Sequence, residues 1–482
     1  MSTEDPLFEL IKSLSQTEKR YFKRFSTLHS SRSKNNYLEL FEAMDRLDQY
    51  DEGKIRRRLS NKKFAGNLAV GKNYLYNLVL RSLRLYNTEQ SALFQVLDLI
   101  QDIHLLIDKN LPQQAVKRIQ KAKRMAEQYH LELPMLEILR LERMMIRWSQ
   151  KKKSQEGLED NQEKTAQYLR QVNLQFDILK LYDDIFLVLR NRPQFEHPEE
   201  RIHELIRAFS ERVSITDFSF ETRMIYHLIW SNYYQLLTGE MKEARHHLGV
   251  LIDLFEAEPH LIQEYPVRYI NLLSNFLTTF IADGRYETFP AVIEKLESLP
   301  SDREYLRIKL FQKIAHFQLI YHLRTGRYEA ALGMIAGIEQ GLEKYREGIS
   351  LDQQLNFCQN IAQVYFYNHC YEEALNWLDR VLNEEKHEIR QDIQLNCRLL
   401  QLLAHYELNN LEFAGSLARS IYRYVRKATG EEHLLKAVAN TLLKAVDLPA
   451  EERETLLKNL WEDCQTAPRS EVKEMVYNWL KS

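Results

Sequence analysis

The sequence predicts an all-α protein built largely from helix hairpins that repeat along the chain as a solenoid. The first observation is a recurring phrase. It reads Thr-Gly-Arg-Tyr-Glu-Ala-Ala at 325–331 and Asn-His-Cys-Tyr-Glu-Glu-Ala at 368–374, with looser copies at 283–286 and 238–244. Each copy separates two segments with helical apolar spacing, which is typical of a hairpin turn. The second observation is composition. Only 14 glycines and 11 prolines occur in 482 residues, which favours long helices joined by short turns.

Residues 1–88 precede these hairpins and predict an N-terminal bundle of four or five helices. Ser15 and Glu18 have the spacing of a capping box, in which each residue satisfies the backbone amide of the other at a helix start. A short basic helix is expected at 54–59, followed by a long one at about 68–86.

Residues 89–192 predict divergent helix hairpins, the first turning at Asn110-Leu111-Pro112. Two prolines between 191 and 198 bar a helix there and mark a subdomain boundary. The helical segments expected before that boundary are 93–107, 115–129, 135–148 and 168–189.

Residues 193–446 form the regular array. A small or close-packing side chain recurs on each returning helix at intervals of 45, 42, 43 and 40 residues, namely at Ala244, Phe289, Ala331, Ala374 and Ala414. Residues 447–482 then predict amphipathic helices that cap the array, carrying Leu457, Leu460, Trp461, Val472, Met475, Val476, Trp479 and Leu480.

Composition excludes several classes of protein. The net charge of −2 is not that of a polycation, although the first 90 residues hold 17 lysines and arginines against 11 acidic residues. That excess is compatible with phosphate contact and equally with solvated helix faces. The four cysteines form no CxxC pair, the start has no secretory pattern, and the 14 uncharged residues at 269–282 are too short to span a bilayer. We expect a cytoplasmic protein without membrane contact.

The repeated segments resemble the tetratricopeptide-repeat family. Ala362, Tyr365, Tyr371 and Ala374 occupy its small, aromatic and helix-packing positions in the best copy, as do Gly326, Tyr328 and Ala331 in the copy before it. The array departs from the family in its period of 40–45 residues instead of 34, and in Phe289 where alanine is usual. The resemblance implies a right-handed α-solenoid that binds a protein or peptide along its concave face.

Transferring the family register from Ala374 implies a row of polar residues on that concave face. Amides and hydroxyls in such a row can bond the backbone of an extended peptide, and they can equally be ordinary solvated positions. The implied partner-binding residues are Tyr226, Tyr233, Asn271, Ser274, Thr278, Lys313, His316, Asn356, Gln359, Gln363 and Asn396.

No catalytic, cofactor or metal motif stands out. The chain lacks the phosphate-binding loop, the nucleophile elbow and the HExxH zinc motif. His246 and His247 are adjacent on a helix, so their side chains diverge by about 100° and are poorly placed to share a metal. We expect a non-enzymatic protein without cofactors.

The basic N-terminal region gives an alternative. A short helix and a longer one with basic side chains could contact nucleic acid, although the apolar residues of the long helix favour a bundle core. The candidate contacts are Arg56, Arg57, Arg58, Lys62, Lys63 and Lys72.

The sequence therefore predicts a helical-repeat scaffold or adaptor that binds a protein or peptide. Two alternatives stay open: a regulator whose N-terminal bundle contacts nucleic acid while the repeats sense a ligand, and a structural assembly subunit that stacks through its ends or through the segment 155–189. The identity of the partner, the pathway and the oligomeric state are not encoded in these patterns.

Overall fold

In the computed structural model the described part of the chain is all α-helical, with no strand. The structure describes residues 5–28, 35–59, 68–88, 90–148, 154–191, 197–383, 391–425, 432–446, 448–467 and 470–481. The chain divides into two compact units, unit 1 (Met1–Leu272) and unit 2 (Leu273–Ser482). The four-part division at 88, 192 and 446 stays a prediction.

Unit 1 begins with a bundle of five helices. Its apolar core is formed around Phe22, Phe41 and Leu75, none of which is exposed. The predicted capping box is present, because Glu18 Oε2 accepts from the Ser15 amide at 2.8 Å and Ser15 Oγ accepts from the Glu18 amide at 3.3 Å. The helices are α1 (Pro6–Ser13), α2 (Gln16–Leu28), α3 (Asn35–Asp45), α4 (Glu52–Arg58) and α5 (Leu68–Thr88).

The rest of unit 1 is a series of longer helices with two further apolar cores. One lies among α6, α7 and α8, and the other among α9, α10 and α11. These helices are α6 (Ala92–Asp108), α7 (Pro112–Gln128), α8 (Glu132–Trp148), α9 (Ser154–Arg190), α10 (Pro198–Ser210), α11 (Phe220–Tyr233), α12 (Met241–Ala257) and α13 (Pro259–Glu264). The unit boundary falls within α14 (Pro266–Asp283).

Unit 2 has one large apolar core that extends from α16 to α24. Its helices are α15 (Phe289–Glu297), α16 (Glu304–Arg324), α17 (Tyr328–Lys344), α18 (Leu351–Tyr367), α19 (Tyr371–Leu382), α20 (Gln391–Glu407), α21 (Leu411–Val425), α22 (Glu432–Ala445), α23 (Ala450–Thr466) and α24 (Glu471–Lys481).

The recurring phrase forms a helix C-cap with a left-handed residue. In the two best copies the left-handed residues are Gly326 (φ 70°) and His369 (φ 59°). The amide that follows donates back to a carbonyl in the last turn of the helix, Arg327 to His322 at 2.9 Å and Cys370 to Tyr365 at 2.9 Å. Left-handed residues also occupy the turns at Asn110, Gly239, Gly284 and Asn409.

The recurring close-packing positions are all fully buried. Ala244, Phe289, Ala331, Ala374 and Ala414 have no exposed surface. Phe289 stacks on Tyr321 with ring centroids 5.5 Å apart. Among the helices that the structure describes, none combines the length and the apolar character needed to cross a membrane.

Candidate functional site: an amide cradle for Glu471

Buried carboxamides on α18 and α20 form the most distinctive polar feature of unit 2. Gln359 and Gln363 are one helical turn apart on α18, and Asn396 lies on α20. Each is buried, with 4 to 7% of its surface exposed. A buried amide without a hydrogen-bond partner destabilises the fold, so these side chains require one. We call these three residues the amide cradle.

The amide cradle binds the carboxylate of Glu471. Gln359 Nε2 donates to Glu471 Oε1 at 2.5 Å, Gln363 Nε2 donates to the same oxygen at 3.3 Å, and Asn396 Nδ2 donates to Oε2 at 2.8 Å. Glu471 is also the first residue of α24, where the helix dipole favours negative charge. Neutral N–H donors and a helix N-terminus together hold this carboxylate.

Further polar contacts fix α24 along the same face. Glu474 pairs with Arg324, the last residue of α16, and the side chain of Asn478 bonds to Tyr367. Positions 471, 474 and 478 are separated by three and four residues, so they lie on one face of α24.

Apolar contacts accompany these polar ones. Met475, Val476 and Trp479 of α24 are at most 6% exposed and belong to the core of unit 2. Trp479 Nε1 donates to Glu407 Oε1 at 2.7 Å. Side chains of α16, α18 and α20 therefore contact an amphipathic helix that presents two carboxylates and three apolar anchors.

Lys313 on α16 is a half-buried cation. Burial lowers the pKa of its ammonium group, and the nearby charge of Lys309 lowers it further. Among the ion pairs of the described residues, none involves Lys313. A carboxylate placed beside it would raise the pKa of the ammonium group again and form an ion pair with it.

The other predicted partner-binding residues have different environments. Tyr233 is buried and its hydroxyl bonds to His203, while the ring of Tyr226 contacts Phe218 and Trp230. The remaining positions vary in exposure: Asn271 and Thr278 are exposed, Ser274 is buried, and His316 and Asn356 are half-buried. Gln359, Gln363 and Asn396 share a common bound group, the Glu471 carboxylate.

The candidate nucleic-acid contacts are partly engaged within the bundle. Lys72 donates to Asp5 Oδ2 at 2.6 Å and to the Tyr50 hydroxyl at 2.7 Å. Arg56 Nε donates to Glu52 at 2.8 Å. Arg57 and Arg58 are exposed, whereas Lys62 and Lys63 lie outside the described residues.

A histidine pair lies in unit 1 beside aromatic rings. The Nδ1 atoms of His227 and His247 are 2.8 Å apart, and His247 stacks on Trp230 and Tyr234. Burial lowers the pKa of both imidazoles to about 4, helped by neighbouring histidines. Within the described ranges no group of three or more histidine, cysteine or acidic residues is arranged to hold a metal ion.

The sequence predicts Gln359, Gln363 and Asn396 as partner-binding positions and gives no indication that they bind Glu471 of the same chain. Glu471, Glu474 and Arg324 were not among the predicted site residues. The sequence signal for these contacts is the acidic first turn of α24 beside its apolar face. From sequence alone, that helix is predicted only as a cap.

Comparisons with protein-family models, with curated proteins and with solved structures found no match to this chain.

Proposed function

We propose that the chain is a non-enzymatic helical-repeat scaffold in which the inner faces of α16, α18 and α20 bind an acidic amphipathic helix of a partner protein. The repeated hairpins, with their left-handed caps and buried close-packing residues, support an α-solenoid of tetratricopeptide-like hairpins. The four free cysteines support a reducing, cytoplasmic setting.

The observation that carries the proposal is the convergence of Gln359, Gln363 and Asn396 on one carboxylate. Three buried amides aimed at a single point select a carboxylate, because ionised oxygens accept stronger hydrogen bonds than neutral ones. Helix binding in a groove between helices is a common recognition mode, with apolar anchors at spacings of three, four and seven residues.

In this proposal α24 occupies the groove as an intramolecular ligand and shows which chemistry the groove accepts. Its carboxylates at 471 and 474 meet the amide cradle and Arg324, and its apolar side chains fill the core. A partner helix with the same pattern would take its place. Lys313 offers such a partner a further contact for a carboxylate, which α24 does not use.

The test uses the full chain with a protease site inserted between Ala467 and Ser470. Cleavage leaves α24 bound without a covalent link, and a fluorescent peptide of residues 470–482 is then added and its binding followed by anisotropy. We expect the peptide to exchange into the groove. A peptide carrying Glu471→Gln and Glu474→Gln should bind at least about tenfold more weakly, since each charge-assisted contact contributes about 1.5–3 kcal/mol.

Equal binding of the two peptides would contradict carboxylate recognition by the groove. The chain with Gln359→Leu and Gln363→Leu serves as the matched receptor control, and its preference for the acidic peptide should be smaller, because only Asn396 and Arg324 remain to bind the carboxylates. Partner proteins that contain an acidic amphipathic helix should bind the cleaved chain, and excess 470–482 peptide should release them.

A further inference from the structure

The longest helix of unit 1, α9, exposes a row of large apolar side chains. Its buried face packs against α8, α10 and α11 through residues such as Ile178 and Ile185. The opposite face is exposed. Its large apolar residues, with their exposed fractions, are Leu169 (47%), Phe176 (57%), Leu179 (36%), Phe186 (50%) and Leu187 (52%). We call these five residues the α9 stripe.

The α9 stripe follows one side of the helix and is interrupted by the exposed Asp183. At 100° per residue, its five side chains fall within an arc of about 100° on the helix surface, and they extend over about 27 Å of its length. Scattered apolar residues are normal on a protein surface, whereas five large ones aligned on one side of a helix mark an interaction surface.

Four of the five residues in the α9 stripe are placed symmetrically about one point on the helix. Leu169 and Phe186 are equally distant from the midpoint between Asp177 and Ile178, and so are Phe176 and Leu179. An identical helix that runs antiparallel would place Leu169 against Phe186 and Phe176 against Leu179. A surface that is complementary to itself in this way is what a twofold dimer requires.

The charges beside the stripe follow the same symmetry. Arg170, Asp177, Lys180 and Asp184 lie along one flank of it, with signs that alternate. In an antiparallel pair each flank faces its own copy, so Arg170 would meet Asp184 and Asp177 would meet Lys180, within about two residues of exact register. None of these four side chains takes part in an ion pair among the described residues, so all are available to a second chain.

We propose that two copies of this chain pair through α9, antiparallel, about a twofold axis that passes close to Asp177 and Ile178. The apolar side chains of the stripe form the centre of the contact and the four charges set its direction. A single pair of helices buries less than the roughly 800 Å² per partner of a standard interface, so we expect a weak dimer that dissociates on dilution. This inference does not depend on the amide cradle.

The first test is sedimentation velocity of the full chain at concentrations from about 1 to about 100 μM, over which a weak dimer should form. We expect the sedimentation coefficient to rise with concentration. Phe176→Asp with Leu179→Asp should abolish the rise without loss of helix content. Leu105→Asp, at an equally exposed position on α6 (61% exposed), should leave it unchanged. A chain that stays monomeric, or a dimer that survives the double variant, overturns the proposal.

The second test uses charge reversal to establish the direction. Arg170→Glu alone and Asp184→Arg alone should each raise the dissociation constant by about tenfold, because two attractive contacts in the dimer become repulsive. Mixing the two variants should restore pairing as a heterodimer, since the carboxylate introduced at position 170 of one chain then meets the guanidinium introduced at position 184 of the other. Unrestored pairing in the mixture would exclude the antiparallel register.

Discussion

Asn396 and Glu471 are 75 residues apart in sequence, yet the Asn396 side-chain amide donates to the Glu471 carboxylate at 2.8 Å in unit 2. The contact joins α20 to the first residue of α24, whose carboxylate also accepts hydrogen bonds from Gln359 and Gln363. A terminal helix that only covered apolar surface would need no such carboxylate. The polar contact therefore gives α24 a defined position and register along its groove.

Replacing Glu471 with alanine should lower the free energy of unfolding by about 1–3 kcal/mol, because three buried amides lose their acceptor. Urea unfolding of the full chain, followed by circular dichroism, measures the change. Glu462→Ala on neighbouring α23 is the matched control, since this side chain is exposed and its loss should change stability by less than about 0.5 kcal/mol. Equal effects of the two variants would show that the amide cradle does not depend on the carboxylate.

Two glycines of the same hairpin should respond to alanine with opposite signs. Gly326 has φ of 70°, and alanine there should cost about 1 kcal/mol because its Cβ disfavours the left-handed conformation. Gly333 lies within α17 with open space around it, so alanine should stabilise the helix by about 0.5–1 kcal/mol. Thermal unfolding of both variants measures the two changes in stability. A Gly326→Ala variant at least as stable as the parent chain would contradict the capping role.

The His227–His247 pair should make unit 1 sensitive to acid. Burial lowers both imidazole pKa values to about 4, against 6.5 for an exposed histidine. Between these values the unfolded chain binds protons that the folded chain does not. The stability from the neutral pair is therefore complete above about pH 6.5 and is lost as the pH falls towards 4.

Urea midpoints measured at several pH values between 7.5 and 4.5 should reveal this loss. His227→Gln with His247→Gln should flatten the pH profile in that window. His104→Gln, at an exposed position on α6, should leave the profile unchanged. An unaltered profile in the double variant would contradict the assignment of this loss to the histidine pair.

Of the four thiols, Cys370 should react first with an aromatic disulfide reagent. Burial raises the pKa of the Cys358 thiol to about 11 and also raises the pKa of Cys397 and Cys464, which leaves little thiolate at neutral pH. Cys370 is half-buried at a hairpin turn. We expect one rapid equivalent in the native chain, absent in Cys370→Ser, and four after denaturation. Rapid reaction of a second thiol would contradict this order.

Much of the fold could be predicted because its determinants are local. The turn at Gly326 depends on a left-handed residue beside two helical segments, and the burial of Ala374 follows from its place on an apolar helix face. The Ser15–Glu18 capping box is likewise decided within four residues. These patterns are visible in a single sequence.

The bound group of the candidate site could not be predicted in the same way. The polar row that contains Gln359 follows from helical register, but nothing near it in sequence indicates a carboxylate 112 residues later. Lys72 gives a similar case, because its basic charge indicated a ligand whereas its partner, Asp5, is 67 residues earlier. Long-range pairing of polar side chains leaves no periodic signal in the chain.

The sequence separation between α18 and α24 also determines how long after α18 the ribosome synthesises α24. Glu471 follows Gln359 by 112 residues, so at about 5–20 residues per second the ribosome adds it roughly 6–22 s after Gln359. Until α24 is made, the carboxamides of α18 and α20 lack the Glu471 carboxylate, and the apolar side chains that contact α24 are open to other polypeptides. Each molecule thus passes once, while it is being made, through a state in which the groove is open before α24 exists.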